Sequence, residues 1–449
     1  MQAAKSIGWC AVAVSLALGG GWPRPAHAEP REVRRYRLYD VGTLGGPLSV
    51  FYNFDDVNFA TGPFNSRGTL AVTSLTAQGY AAAAVWSGGV LQALPNLPNA
   101  NVGGGGSNAT GVNERGVVVG AADDGIINPL NGAPYDHAVL WDRTGIHRLQ
   151  ELDGHASWAN SITDHGLVVG FAYNAVPDAY TYAGTQTRAT LWRDGSIRDL
   201  GTLGGADSAA FLASDCEGND DGRGAAVVGT SSLAGSGGPP FGIPPTAAFI
   251  WADGLMSDLG SLGGGYSLPS AINCRREVAV ISFDATNRHF QSFLWSRGRR
   301  TPLQRLGGNF VEAVALNEAT QVAGGVSDPG DRSVLAALWG PAGDGELLGT
   351  IGQDKGSVAL GINAEGVVVG GSGTVSFYAP PAYSHAFVWQ REGGMQDLNT
   401  LIPQGSPLTL NVAYSINDRG EIAGLGTTRA GETHAFVLAP DGPGDGARR

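Results

Sequence analysis

One short phrase recurs along this chain: a small residue, an aromatic or aliphatic one, an aliphatic one, then Trp. It ends at Trp86, Trp141, Trp192, Trp251, Trp295, Trp339 and Trp389, and Leu438 ends an eighth copy. Successive endings lie 44 to 59 residues apart. A period of that size belongs to a unit that cannot bury its apolar side alone and stacks on copies of itself, as in a solenoid, a propeller or an array. The first position is always small (Ala83, Ala138, Ala189, Ala248, Ser292, Ala336, Ala386, Ala435) and the third is always Val, Leu or Ile. Side chains alternate along a strand, so the first and third positions face one way and the second and fourth the other. Both sides are apolar, and such a strand must be covered on both.

Each copy has three further parts. Upstream, Asn is followed three residues later by Gly, as in Asn65–Gly68, Asn113–Gly116, Asn363–Gly366 and Asn417–Gly420; the variants are Thr163–Gly166, Asp215–Gly218, Asn273–Arg276 and Asn317–Thr320. Asn or Asp opens a type I turn by bonding its own backbone, and Gly takes the positive φ that rejoins the partner strand. Arg276 and Thr320 lack that freedom, so their turns should be strained or differently built. A structural turn accounts for these residues better than catalysis, because eight equivalent active sites in one chain would be strange. A β-branched run ending in Gly comes next (Val117-Val118-Val119-Gly120, Val367-Val368-Val369-Gly370), then the tryptophan phrase. The last part reads Ile197-Arg198-Asp199-Leu200-Gly201 or Met256-Ser257-Asp258-Leu259-Gly260 and runs into Leu203-Gly204-Gly205 or Leu262-Gly263-Gly264. Four short strands joined by turns make a β-meander, and stacking such sheets face to face gives the double cover.

The two ends are out of phase. The last copy stops at His434-Ala435-Phe436-Val437-Leu438 without a fourth strand, whereas Tyr36-Arg37-Leu38-Tyr39-Asp40-Val41-Gly42 is a fourth strand without the preceding three. An N-terminal strand that completes the last sheet would bury two edges that otherwise invite aggregation. The expected fold is therefore all-β, a β-propeller of four-stranded antiparallel blades, eight in number and closed by that strand. Seven blades with a degenerate first copy, or an open β-solenoid, are the alternatives. The corresponding division is a signal peptide at 1–28, one repeat domain at 29–440 and a C-terminal tail at 441–449.

His385-Ala386-Phe387-Val388-Trp389 and His434-Ala435-Phe436, with Asp199-Leu200-Gly201-Thr202-Leu203-Gly204-Gly205 and Ile362-Asn363 before Gly366, resemble the HAF family of extracellular repeats, from about Tyr36 to Pro440. The resemblance implies a bacterial, exported protein and brings no catalytic residue with it. The chain departs from the pattern where Ala82, Arg188, Ala247, Gln291 and Leu335 replace the His; His137, His385 and His434 keep it. As equivalents spread around a ring these three would not converge on a metal, and each should bond a backbone or acidic group of its own blade. His155, His165 and His289 read as turn or surface residues.

Lys5, the apolar run Ile7 to Leu18 and Ala26-His27-Ala28 form a secretory leader cleaved after Ala28, too short in its apolar part to be a membrane anchor. A secreted or periplasmic chain with no later membrane span follows. The net charge of −12 becomes −14 when Lys5 and Arg24 leave with the leader, which argues against nucleic acid as a partner. Cys216 and Cys274 follow the turn residue in neighbouring copies, so a disulfide between them is open to an exported chain, subject to a Cα separation of at most roughly 7 Å.

No nucleophile elbow, phosphate loop or zinc-protease helix is present, and no cofactor is implied. The stretch 215–222 departs from a calcium loop in the place of its glycine and in lacking the final Glu, and no metal ligand is assigned. Asp55-Asp56 and Asp123-Asp124 are adjacent pairs whose side chains should point apart. The connections between the second and third parts are long at Ala121 to Asp136, Ala172 to Thr187, Ser231 to Thr246 and Ser372 to Ser384, on the side opposite the Asn turns. Function on repeat architectures gathers where insertions cluster. These connections carry Tyr135, Tyr173, Tyr180, Tyr182, Phe241, Phe377, Tyr378 and Tyr383, rings suited to stacking on a sugar or gripping a protein segment, or to packing the loops themselves. The expected function is a monomeric, non-enzymatic binding or structural module with a carbohydrate or protein ligand. The alternative is an extracellular polysaccharide hydrolase or lyase using carboxylates on the long-loop side.

Overall fold

The computed structural model describes residues 35–441 apart from 52–62, 101–105, 180, 182, 215, 217–223 and 236–245. The leader, Asp55-Asp56, and most of the stretch 215–222 thus lie outside the described residues. Among the described residues, apart from one 3-10 turn at Leu398–Thr400, the regular structure is all strand.

The second copy shows how the sequence builds a unit. Ser107–Val112, Val118–Ile127, Pro134–Asp142 and Gly145–Arg148 pair antiparallel in that order. The Asn113 N–H donates to Val117 O at 3.1 Å and the Gly116 N–H to Asn113 O at 3.0 Å, while Asn113 Oδ1 accepts from the Arg115 and Val117 N–H groups. Gly116 takes φ 77°. Arg276 and Thr320 build the same turn at φ 59° and 61°, so of the two expectations the strained one holds. Both are tied down there: Arg276 Nη2 donates to Gly224 O at 3.1 Å, and the Thr320 hydroxyl donates to Glu277 Oε2 at 2.9 Å.

The glycine that ends each β-branched run answers a close approach. A Cβ on Gly120, Gly170 or Gly324 would stand 1.9 Å from the carbonyl oxygen of Asn108, Trp158 or Glu312 on the first strand. The first strand bulges just past that contact, between Ala109 and Gly111 and between Ala313 and Ala315, and no larger residue fits against it.

Neighbouring sheets share apolar cores as the alternating phrase requires. Ala138 and Leu140 pack with Ala159, Val168 and Trp192 of the third copy, whereas Val139 and Trp141 pack with Ala71 and Ala83 of the first. The same split holds in the last copy: Phe436 and Leu438 join Val369 and Ala386 of the seventh copy, and Ala435 and Val437 join Leu70, Ala84 and Trp86 of the first. The indoles also reach back to the preceding copy, with Trp141 Nε1 donating to Pro95 O (2.8 Å), Trp192 to Gln150 O (2.6 Å) and Trp339 to Gln304 O (3.0 Å). The strand Tyr36–Asp40 pairs antiparallel with Thr433–Pro440, Leu38 opposite Leu438, and supplies the fourth strand that the last copy lacks.

A second set of bonds runs along the Asn turns. Each amide donates to the turn carbonyl of the following copy: Asn65 to Asn113 (2.8 Å), Asn113 to Thr163 (3.1 Å), Asn273 to Asn317 (3.3 Å), Asn317 to Asn363 (2.9 Å), Asn363 to Asn417 (3.3 Å), and Asn417 back to Asn65 (3.1 Å). One residue on, a carboxylate of the following copy accepts a backbone N–H, as from Ser66 to Glu114 and from Ala364 to Asp418. Thr163 has no amide to give, and beside it the fourth and fifth copies are joined by the Cys216–Cys274 disulfide, Cα atoms 5.5 Å apart, at this same position.

Candidate functional site

The hairpins between second and third strands share a side with the links between copies: Asn309 of a link donates to Asp331 of a hairpin through its N–H at 2.8 Å and through Nδ2 at 2.7 Å. On this side the connections expected to be long loops are largely paired strand where they are described; most of Ser231 to Thr246 lies outside the described residues. Val118–Ile127 and Pro134–Asp142 pair at Asp123 opposite Asp136 and, past a shift in register, again at Ile127 opposite Pro134, and Val368–Ser376 pairs with Ala379–Gln390, through two shifts in register, up to Ser376 opposite Ala379. Standing hairpins turn alternate side chains inward, which decides what the aromatic residues can do.

Tyr173 is buried with Ala156 and Ala183, edge-on to Phe171 at 6.0 Å, and Tyr135 packs half-buried on the same cluster, 5.6 Å from His155. Tyr383 is half-buried against Val334, Val358 and Val375. Phe377 leans across the sixth copy to stand 4.8 Å from Phe290 and 5.4 Å from Phe310. Tyr378 is 70% exposed and lies edge-on to Phe310 at 5.7 Å. Of the eight rings singled out, the structure thus brings Phe377 and Tyr378 together on Phe290 and Phe310 and turns Tyr135, Tyr173 and Tyr383 inward. Tyr180, Tyr182 and Phe241 lie outside the described residues.

The retained histidines each meet acids. His137 is 2% exposed; its Nδ1 lies 2.7 Å from Glu151 Oε1, and its Nε2 sits 2.9 Å from Asp124 Oδ2 without hydrogen-bond alignment. Arg148 donates to Glu151 at 2.7 Å, and against the cost of burial the bonds from His137, Arg148 and Ser157 hold the Glu151 carboxyl below its usual range. His385 Nδ1 pairs with Asp354 and His434 Nδ1 with Asp40, both at 2.8 Å. Asp123 and Asp124 point apart as expected, Asp123 buried and bonded to the Gly125 N–H, Asp124 on His137 and Arg148. His289, read as a turn or surface residue, pairs with Asp284 across a tight hairpin at 3.0 Å and stands edge-on to Phe310 at 5.2 Å. Among the described residues no three His, Cys, Asp or Glu side chains gather as a metal site.

The group that sequence reading missed is Glu312. It sits on the first strand of the sixth copy, Val311–Leu316, two residues after Phe310. The side chain is half-buried, and loss of water around its carboxyl pushes it up to about 7, with no hydrogen bond or charge opposing that shift. The Tyr383 phenol is pushed well above its ordinary range by burial, then by Tyr414 and by Glu312, each of which lies within electrostatic reach of it. Tyr414 in turn meets Phe51 edge-on at 5.6 Å. A signal was present in the sequence: five residues before the turn residue, where Glu312 stands, other copies carry Asn108, Trp158, Leu268, Val358 and Val412. One acid at a position otherwise uncharged and mostly apolar marks a departure from the repeat.

No family model matches the chain, and no curated protein matches it. Among solved structures it is similar to the β-propeller domain of the Trilobed protease from Pyrococcus furiosus, at 11% identity over 76% of this chain and 97% of that one, with a TM-score of 0.43. It is also similar to dipeptidyl peptidase 4 of Porphyromonas gingivalis, at 11% identity and a TM-score of 0.41, where it spans 57% of that chain. A third is TolB from Acinetobacter baumannii, at 11% identity over 72% of this chain and 63% of that one, with a TM-score of 0.31. Likeness this remote leaves activity and ligand to the residues themselves.

Proposed function

We propose that the chain is an exported β-propeller of eight blades, akin to HAF repeat proteins, that binds a ligand on its hairpin side and carries out no reaction. Closure is supported by the Tyr36–Asp40 pairing with the last copy, by the apolar core shared between last and first copies, and by the Asn417 amide on the Asn65 carbonyl. Export is supported by the leader-like start and by a disulfide, which persists in oxidising surroundings.

The observation that carries the non-enzymatic reading is the isolation of Glu312. Glycoside hydrolysis uses two carboxyl groups about 5 to 9.5 Å apart, one of them raised. Among the described residues two carboxyls are raised, Glu312 and Asp207: no second carboxylate acts on Glu312, whereas Asp207, raised by burial and further by Asp178, is held by the Thr187 N–H at 2.8 Å, and Asp124, Glu151, Asp284 and Asp331 on the same side are engaged by cationic, hydroxyl or N–H partners. The purified protein, incubated with a panel of polysaccharides and peptides, should retain a ligand without generating reducing or unsaturated ends. Such ends, formed by the native protein and lost in Glu312→Gln, would establish the hydrolase or lyase alternative instead.

A further inference from the structure

Among the described residues eight large apolar side chains are exposed, and four of them, Ile126, Ile127, Leu130 and Val176, belong to the hairpins of the second and third copies. Ile126 is 61% and Leu130 67% exposed. Of the others, Val90, Leu255 and Leu347 lie on the fourth strands of three separate copies, and Tyr378 on the hairpin of the seventh. Leu130 joins the two hairpins: a Cβ placed on Gly184 of the third copy would stand 2.5 Å from Leu130 Cδ1. Gly184 precedes Thr185, which pairs with Pro177, the residue after Val176. The four aliphatic side chains therefore share one pair of adjoining tips.

No charged residue occurs from Gly125 to Tyr135, and from Asn174 to Thr187 there is a single one, Asp178, which is half-buried. The tip of the second copy also spends its backbone donors internally. The Gly125 N–H donates to Asp123 Oδ1 and the Ile126 N–H to Asp124 Oδ1, both at 3.0 Å. Asn128 is fully buried; it accepts the Leu130 N–H on Oδ1 and the Gly132 N–H on its carbonyl, both at 2.9 Å, and donates its own N–H to Ala133 O at 2.8 Å. The Ala133 N–H donates to Asn131 Oδ1 at 3.0 Å, and Pro129 and Pro134 have no N–H. A protein partner is held in register by hydrogen bonds and charges at the rim of the contact, for which this tip has few groups left. A bilayer demands the reverse, apolar side chains outward and backbone polar groups satisfied from within.

We propose that these adjoining tips enter the headgroup and upper acyl region of a lipid bilayer, with Ile126, Ile127, Leu130 and Val176 as the inserted side chains. This rests on the hairpin-side binding role proposed above and names the surface that side meets. Burial of apolar area, not charge, drives the attachment. The net charge of −12 is repelled by anionic headgroups, so a zwitterionic phosphatidylcholine surface suits the molecule best.

Co-sedimentation of the native protein with phosphatidylcholine vesicles tests this. Binding should survive about 0.5 M salt and weaken when phosphatidylglycerol is mixed into the vesicles. Each aliphatic group withdrawn should weaken it about tenfold, so Ile126→Ser with Leu130→Ser should bind about a hundredfold less well, whereas Val90→Ser with Leu255→Ser should bind like the native protein. In Leu130→Trp, lipid brominated on its acyl chains should quench more emission than it does in the native protein. No binding to phosphatidylcholine, tighter binding to the anionic vesicles, undiminished binding by Ile126→Ser with Leu130→Ser, equal loss in the Val90→Ser with Leu255→Ser control, or no added quenching overturns the proposal. So does a native dimer that Ile126→Ser with Leu130→Ser renders monomeric, with no vesicle binding, since a second copy then covers the tips. A polysaccharide or peptide retained without vesicle binding overturns the bilayer contact and leaves the binding role standing; retention of none of the three removes both.

Discussion

Gly116 and Thr320 occupy the same left-handed turn position with opposite suitability for it. Nothing lies within 4 Å of where a Gly116 Cβ would stand, so Gly116→Ala meets no clash and its cost is backbone strain alone. It should cost about 1 to 2 kcal/mol, read from the unfolding midpoint; a loss too small to detect would mean that the turn relaxes away from φ 77°. Glu312 makes a prediction with a defined sign. Its folded carboxyl titrates at about 7 against an ordinary 4.5, so ionisation works against the fold: stability is full below the ordinary value, falls as pH rises between the two, and stays low above. Glu312→Gln, which cannot ionise, should therefore be more stable than the native protein near pH 8, on the order of 2 kcal/mol after allowing for residual solvent contact, and no more stable below about pH 4.5. Equal melting temperatures throughout that range would show the carboxyl to be well solvated. At this scale the sequence announced the turn glycines but not Gly120, because the carbonyl that excludes a side chain there belongs to another strand.

Between elements, the turn asparagines divide their work between two atoms. Asn363 Oδ1 accepts the Val367 N–H at 2.9 Å and holds its own turn, while Nδ2 donates to the Asn417 carbonyl of the next copy at 3.3 Å. Asn363→Asp keeps the first bond and removes the second, and should cost about 1 kcal/mol; Asn363→Ala loses both and should cost about twice that in thermal unfolding. If the two variants melt together, the amide contributes nothing across the joint. The capping oxygen was legible as turn chemistry, but the donor was not, since its acceptor lies 54 residues away. The hairpins were misread for a related reason. Pro380 and Pro381 suggest a loop, yet they stand in the strand Ala379–Gln390 beside a slip in register, where a missing N–H breaks no regular ladder. Reading those connections as loops left Tyr173 and Tyr383 open either to a ligand or to packing, and the paired strands turn both inward, while the alternation of the tryptophan phrase, a purely local pattern, assigned both of its packed sides correctly.

For the molecule as a whole, two joints set stability. The disulfide closes a span of 58 residues, and chain entropy alone would make it worth about 4 kcal/mol. Reduction, or Cys274→Ser, should lower the melting temperature by several degrees. The fourth copy, which meets the third at Thr163 without an amide donor there, should then be the first region to exchange its amide protons; unchanged melting would mean that the neighbouring cores suffice. A chain beginning at Gly42 lacks the strand opposite Thr433–Pro440 and should associate through the bare edge, seen as a concentration-dependent rise in light scattering that the native protein does not show. The offset ends made this pairing readable before any coordinates, whereas the Glu312 site was not, because it is assembled from three copies whose spacing says nothing of their meeting. The terminal pairing also fixes a timetable. Tyr36–Asp40 is made long before Thr433–Pro440, so the two cannot join on the ribosome until every copy between them has been synthesised. Contacts that distant in sequence form slowly, which keeps the early copies threadable for longer, a delay suited to the proposed export through a narrow translocation pore.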